Sequence, residues 1–180
     1  MNPVQQVILR DAREWEREAV AAVMLESYQQ YAMDMPKERW EEYRDSIRNS
    51  AYGNAPHARI VAELGGKIVG SVQLFLSSEA AYGKPEMGIH SPIIRLLAVS
   101  PAARGRGIAT LLIQEAGCRC IQLGATTLNL HTSDMMASAV NLYERLGFER
   151  AYETDTTNGE TLVKGYRLEL PGSLLLHSAI

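Results

Sequence analysis

The run Ile93-Ile94-Arg95-Leu96-Leu97-Ala98-Val99 is nearly all apolar and stops at Ser100-Pro101. Such a run reads as a central strand buried on both faces, so the chain must supply cover on both sides of it. Close behind it comes Arg104-Gly105-Arg106-Gly107-Ile108-Ala109. From there Ile108, Leu111, Leu112, Ala116, Cys120 and Leu123 recur at helical spacing. A buried strand, a glycine-rich turn and an amphipathic helix in direct succession set the frame for the rest.

The flanking segments resolve by the same patterns. Val7 to Arg10 predicts a first strand, and Asp11 with Glu14 three residues on predicts a capped helix start. Val20, Val23, Met24, Ser27, Tyr28 and Tyr31 share one helical face. Pro36 opens a second helix, Lys37 to about Asn49, with Trp40, Tyr43 and Ile47 on one side. Gly65-Gly66 between two β-rich runs, Arg59–Leu64 and Lys67–Leu76, predicts a hairpin. A long polar connection, Ser77 to Pro92, reads as a functional loop. Beyond the central helix come a strand at Leu128–His131, a helix from Ala137 to Leu146 closed by Gly147, and strands at Phe148–Thr154 and Leu162–Leu170 around an Asn158-Gly159 turn. The apolar tail Leu174-Leu175-Leu176 has two uses, docking on its own chain or on a second subunit in a homodimer.

Composition narrows the class. The chain has 180 residues with 46% hydrophobic and 22% charged, ordinary values for a folded domain. A net charge of −3 argues against a nucleic-acid or anionic-membrane binder. No segment has the apolar length of a membrane span, and Met1 to Arg10 lacks the form of a signal peptide. The two cysteines, Cys118 and Cys120, complete no zinc site and lie at a spacing that points them apart. No metal and a reducing, cytoplasmic setting are the expectations.

The glycine-rich turn carries the chemistry. Helix-first amides have no intrahelical acceptor, and the helix dipole adds partial positive charge there. With glycines allowing close approach, the turn suits a pyrophosphate, and Arg104 and Arg106 can add charge-assisted bonds. The turn lacks the Lys-Ser/Thr of a Walker loop and the glycine pattern of a dinucleotide fingerprint. A plain βα loop with solvated arginines has the same local signature.

Leu97-Ala98-Val99-Ser100-Pro101-Ala102-Ala103-Arg104-Gly105-Arg106-Gly107-Ile108-Ala109, followed by Leu111-Leu112, resembles the acetyl-CoA-binding segment of the GNAT superfamily of acyl-CoA N-acyltransferases. That family's pattern is Arg or Gln, two residues, Gly, one residue, Gly or Ala, which Arg104, Gly107 and Ala109 satisfy. Downstream, Ala139-Val140-Asn141-Leu142-Tyr143-Glu144-Arg145-Leu146-Gly147-Phe148 resembles the family's last helix. One strand separates the two segments, as in the family, and the element order agrees over about Val7 to Leu170.

The resemblance implies an α/β fold (α+β in some schemes). Its sheet is mixed and mainly antiparallel, splayed in the middle, with helices on both faces. It implies a single domain over residues 1–180, with a core of about 7–170 and a tail of 171–180. The fourth strand would carry a bulge, and the pantetheine arm would bond Leu97, Ala98 and Val99 like an added strand. The pyrophosphate would rest on Arg104, Gly105, Arg106, Gly107, Ile108 and Ala109, with Thr110 closing the cofactor-binding segment.

Further implied are an amine attacking the thioester, Tyr143 as proton donor to the leaving thiolate, and the Val99 N–H as partner of the oxyanion. His131 stands at a strand end where some relatives carry a glutamate base, and its ordinary pKa suits that task. Tyr143 also fits plain core packing, and His131 a structural hydrogen bond. Met136 departs from the Asn that relatives often carry, and Asn141 reads as helix surface. Glu63 and Glu86 read as solvated surface or as acceptor-site carboxylates.

Acetyl-CoA is the expected acyl donor, and a primary amine on a small molecule or peptide the expected acceptor. Tyr28, Tyr31, Trp40 and Tyr43 would either hold its cation or pack a core. A non-catalytic acyl-CoA sensor needs the same loop without an acid, and a nucleotide-phosphate binder needs the loop alone.

Overall fold

Gly65 and Gly66 take φ of +59° and +78°, the left-handed pair that a tight two-residue hairpin demands. They join β2 (Ala58–Leu64) to β3 (Lys67–Phe75), and β1 (Ile8–Asp11) pairs antiparallel with β2, Ile8 opposite Glu63. The structure is a computed structural model that describes residues 5–177. The first four residues of the start read above as free of a leader, and residues 178–180 of the tail, lie outside the described residues.

The described residues gather into two compact units, one running to Gln73 with Leu96–Glu115, the other comprising Leu74–Arg95 and the chain from Ala116 on. The first unit holds β1, β2, most of β3 and the end of β4 (Ile93–Val99). Its helices are α1 (Arg17–Tyr28), α2 (Lys37–Ser50) and the start of α4 (Ile108–Gln122). The α1 stripe Val20, Val23, Met24, Ser27 and Tyr28 is buried, as are Trp40 and Ile47 of α2. Tyr28, Tyr31, Tyr43 and Trp40 form a chain of tilted and edge-on contacts, 5.8–6.2 Å between ring centres.

Both faces of β3 are covered. A Cβ at Gly70 would lie 3.1 Å from Ile108 and Leu112 of α4. On the opposite face the Gln73 side chain donates to the Ser50 carbonyl at the end of α2 (3.2 Å). Asp11 does not open a helix. It is the last residue of β1, and a 3-10 turn, Glu14–Glu16, precedes α1. Glu16 is the residue that accepts from a free amide, that of Arg13 at 2.8 Å. It reaches back because Arg10 grips the same carboxylate.

In the second unit β4 meets β5 (Thr127–Thr132) in parallel, Ile93 opposite Asn129. β5 pairs antiparallel with β8 (Thr161–Glu169), and β8 pairs antiparallel with β6 (Glu149–Arg150) and β7 (Thr156–Asn158). Leu96 takes φ +55°, a left-handed backbone that costs a leucine roughly 1–2 kcal/mol and breaks the regular pleat of the apolar strand. The segment read as a polar loop folds into α3 (Ser78–Tyr82) and a 3-10 turn, Pro85–Met87. Ser77 caps α3 through the Ala80 amide, and Ala81 and Ile89 bury against Phe75 and Ile93.

The strand expected over Phe148–Thr154 stops at Arg150 and turns at Tyr152–Thr154. Arg150 holds Asp155 with two bonds, 2.7 and 2.8 Å, and this fork pulls the chain round. The turn packs on Gly165, where a Cβ would collide with the Thr154 hydroxyl. Leu123 is exposed, because α4 ends at Gln122 and Gly124 takes φ +82°. In α6 (Leu174–His177), Leu175 and Leu176 are buried while Leu174 is 86% exposed. Leu176 seats on Gly117, so much of the tail's apolar surface is used within the chain.

Candidate active site

In the first unit the glycine-rich turn stands open. Gly105 and Gly107 take φ of +80° and +74°, and a Cβ at either would meet nothing within 4 Å. α4 starts at Ile108, and the first amide that closes back along it is that of Leu111, on the Gly107 carbonyl at 3.1 Å. The amides before it therefore have no intrahelical acceptor. Arg104, Gly105, Arg106 and Gly107 are exposed, Ile108 is buried, and Ala109 and Thr110 are half-buried. This is the donor set that an anionic phosphate requires.

Arg104 differs from Arg106 in having work inside the unit. Its guanidinium donates to the Ser27 carbonyl (3.2 Å) and to Gln30 Oε1 (3.4 Å), tying the turn to the end of α1. Ser27 also accepts from the Val99 amide through its hydroxyl, at 3.2 Å. The N–H that the resemblance assigns to an oxyanion is thus already bonded, and serving that role requires the Ser27 side chain to rotate. Leu97 and Val99 are half-buried and Ala98 is buried. Ser27 was visible in the sequence only as a polar interruption of an apolar stripe.

In the second unit His131 lies on β5 with both ring nitrogens engaged. Nε2 is 2.8 Å from the Thr154 carbonyl and Nδ1 is 2.9 Å from the Tyr82 hydroxyl. A carbonyl only accepts, so Nε2 carries the proton and Nδ1 accepts from Tyr82. Burial pushes the His131 pKa below its ordinary value, and the repulsion of Arg95 and Lys84 adds to this, while the Thr154 bond and Asp155 oppose it. Burial likewise pushes the Tyr82 hydroxyl up to about 12, against the pull of Arg95. Nothing in the local sequence marks Tyr82, because its partner lies 49 residues away.

Tyr143, on α5 (Ala137–Arg145), is 8% exposed, and its ring lies edge-on to Phe148 at 5.8 Å. Met136 ends a 3-10 turn, Asp134–Met136, and is half-buried, while Asn141 is exposed. Glu63 pairs with Arg10 at 3.5 Å, and Glu86 sits exposed in the Pro85–Met87 turn. Among the described residues no three His, Cys, Asp or Glu side chains gather as a metal site would need. No described helix is long and apolar enough to cross a membrane.

The model of the acetyltransferase (GNAT) family matches residues 13–148. N-acetyltransferase family 8 member 2 of Rattus norvegicus is 33% identical over 100 residues, which is 56% of this chain and 42% of that protein. The chain thus spans less than half the length of that relative. The solved PaiA N-acetyltransferase from Thermoplasma acidophilum, in complex with coenzyme A, superposes with a TM-score of 0.71 at 16% identity, covering 91% of this chain and 99% of that one. A GNAT family acetyltransferase from Brucella melitensis, in complex with acetyl-CoA, gives 0.60 at 20% identity, covering 91% and 88%. At these identities the two structures establish the fold.

Proposed function

The chain belongs to the GNAT acetyltransferase family, and from that membership we propose that it transfers the acetyl group of acetyl-CoA to a primary amine by direct attack on the thioester. The observation that carries this reading is the open turn before α4, with left-handed Gly105 and Gly107 and first-turn amides free of intrahelical acceptors. A phosphate can approach that backbone with no side chain in its way. Bound acetyl-CoA supplies an activated acetyl group.

The chain's own residues do the rest. Amides from Arg104 to Thr110 hold the anionic end, with the exposed Arg106 adding charge. Leu97, Ala98 and Val99 bond the pantetheine arm through their backbone. Tyr143 gives a proton to the departing thiolate, and His131 receives the proton of the amine. The acceptor is a small molecule or peptide. A single domain over residues 1–180 is supported by β3, β4 and α4, each of which runs through both units. A cytoplasmic setting is in keeping with two cysteines that form no disulfide.

The test is acetyl-CoA mixed with polyamines, amino acids, aminoglycosides and peptides with free amino groups, followed by free-thiol release and product mass. Amine-dependent thiol release with a matching acetylated product is expected. Binding of acetyl-CoA with no amine-dependent release would overturn the reading in favour of a non-catalytic acyl-CoA module.

A further inference from the structure

We propose that Tyr82 is the positioning residue of the base: with Nε2–H held by the Thr154 carbonyl, the Tyr82 hydroxyl donates to Nδ1 and forms the proton route to it. The proposal rests on the acetyl transfer proposed above and on His131 as its base, and it changes how that base works.

An imidazole acts as a base through a bare lone pair, and His131 presents none. Its Nε2–H is committed to the Thr154 carbonyl at 2.8 Å. Thr154 is held in turn, its amide and hydroxyl both donating to the Ala151 carbonyl at 2.9 and 2.7 Å. The lone pair of Nδ1 is covered by the Tyr82 O–H at 2.9 Å. Tyr82 is fixed from its other side. The Arg95 guanidinium lies 4.9 Å from its ring centre and donates to the Ala81 carbonyl at 2.6 Å. The tyrosine ring stands edge-on to the imidazole at 87°.

A proton therefore reaches Nδ1 by exchange at the Tyr82 oxygen. The amine's ammonium gives a proton to that oxygen, directly or through one water, as the oxygen's own proton passes to Nδ1. One O–H bond forms and one breaks, tyrosine stays neutral, and nothing is oxidised or reduced. His131 becomes an imidazolium still donating from Nε2 to Thr154. The charges around it are mixed. Asp155, held by Arg150, favours the cation, whereas Arg95, Lys84 and burial oppose it. An imidazolium so disfavoured gives its proton up readily once the amine has reacted.

The test combines nitrogen NMR of the histidine-labelled chain with kinetics of Tyr82→Phe, His131→Gln and the double variant. Wild-type His131 should show the Nε2–H tautomer, and Tyr82→Phe should move its titration. With an acetylated amine in hand, each single variant should lose the imidazole-range inflection in kcat/KM and fall by about 10²–10⁴-fold, with KM for acetyl-CoA unchanged. The double variant should be no worse than the poorer single one, as for groups acting as a unit. An Nδ1–H tautomer, a Tyr82→Phe enzyme that keeps the inflection or turns over faster, or multiplying losses would each overturn the proposal. If wild-type chain acetylates no amine, the function proposed above falls, and the tautomer and titration decide the Tyr82 assignment alone.

Discussion

At Tyr143 a single atom, the phenolic oxygen, carries the proposed role. Its ring is buried edge-on to Phe148, and a phenylalanine keeps that packing while removing only the O–H. Tyr143→Phe should lower kcat by roughly 10²–10⁴-fold and leave acetyl-CoA affinity unchanged, as the loss of a general acid does. Steady-state and single-turnover kinetics check this. Near-wild-type turnover with chemistry limiting would assign the proton to water or to the amine itself. Ser27 carries a different kind of weight. Its hydroxyl meets the Val99 amide and its carbonyl meets Arg104, so one residue of α1 links the strand and the turn that the proposed reaction needs.

Between elements, two charged forks dominate. Arg10 holds the Glu16 carboxyl down to about 2, joining β1 to the turn before α1. Arg150 does the same to Asp155, also to about 2, joining β6 to the chain ahead of β7. Both folded values lie below the ordinary 4.5 and 3.8. The stability they contribute is therefore present above those values and lost as pH falls through that range toward 2. His131 acts in another window. Burial depresses its folded pKa, so the unfolded chain takes up a proton first, and stability falls as pH drops below its ordinary 6.5. Unfolding free energy from urea titrations should thus decline in two stages. Asp155→Asn should remove part of the lower stage and cost about 1.5–3 kcal/mol at neutral pH, the range for hydrogen bonds to charged groups. An unaltered acid limb in that variant would show that the fork contributes nothing.

For the molecule as a whole, ligand binding and folding are linked. A ligand held only by the folded chain at a hundred times its Kd adds about 2.7 kcal/mol. For a chain of 180 residues that corresponds to a Tm rise of roughly 5–10 °C. Acetyl-CoA should produce such a rise. Gly107→Val should abolish it relative to the variant's own unliganded Tm, because φ is +74° there and a branched side chain would stand where a phosphate approaches. An equal rise in a folded Gly107→Val chain would remove the turn from the binding reading.

The sequence alone determined whatever is written in local periodicity and backbone freedom. The apolar strand at Ile93–Val99, the Gly65-Gly66 hairpin, α2 and the α1 stripe as far as Tyr28 fall where their patterns put them, while Tyr31 lies past the end of α1 in a 3-10 turn, since side-chain spacing and left-handed glycines act within a few residues. The glycine-rich turn was legible for the same reason, and two segments resembling one family sufficed to name that family. Only the tertiary structure decided the partners. Ser77–Pro92 folds because α3 and Ile89 find Phe75 and Ile93 to bury against. The strand after Phe148 ends early because Arg150 meets Asp155 and the turn needs Gly165 beneath it. His131 was readable as a strand-end histidine, but its depressed pKa comes from tertiary burial, and its hydrogen bonding and tautomer from Tyr82 and Thr154. Those residues lie 49 and 23 positions away along the chain, and a hydrogen bond across such distances leaves no trace in local sequence.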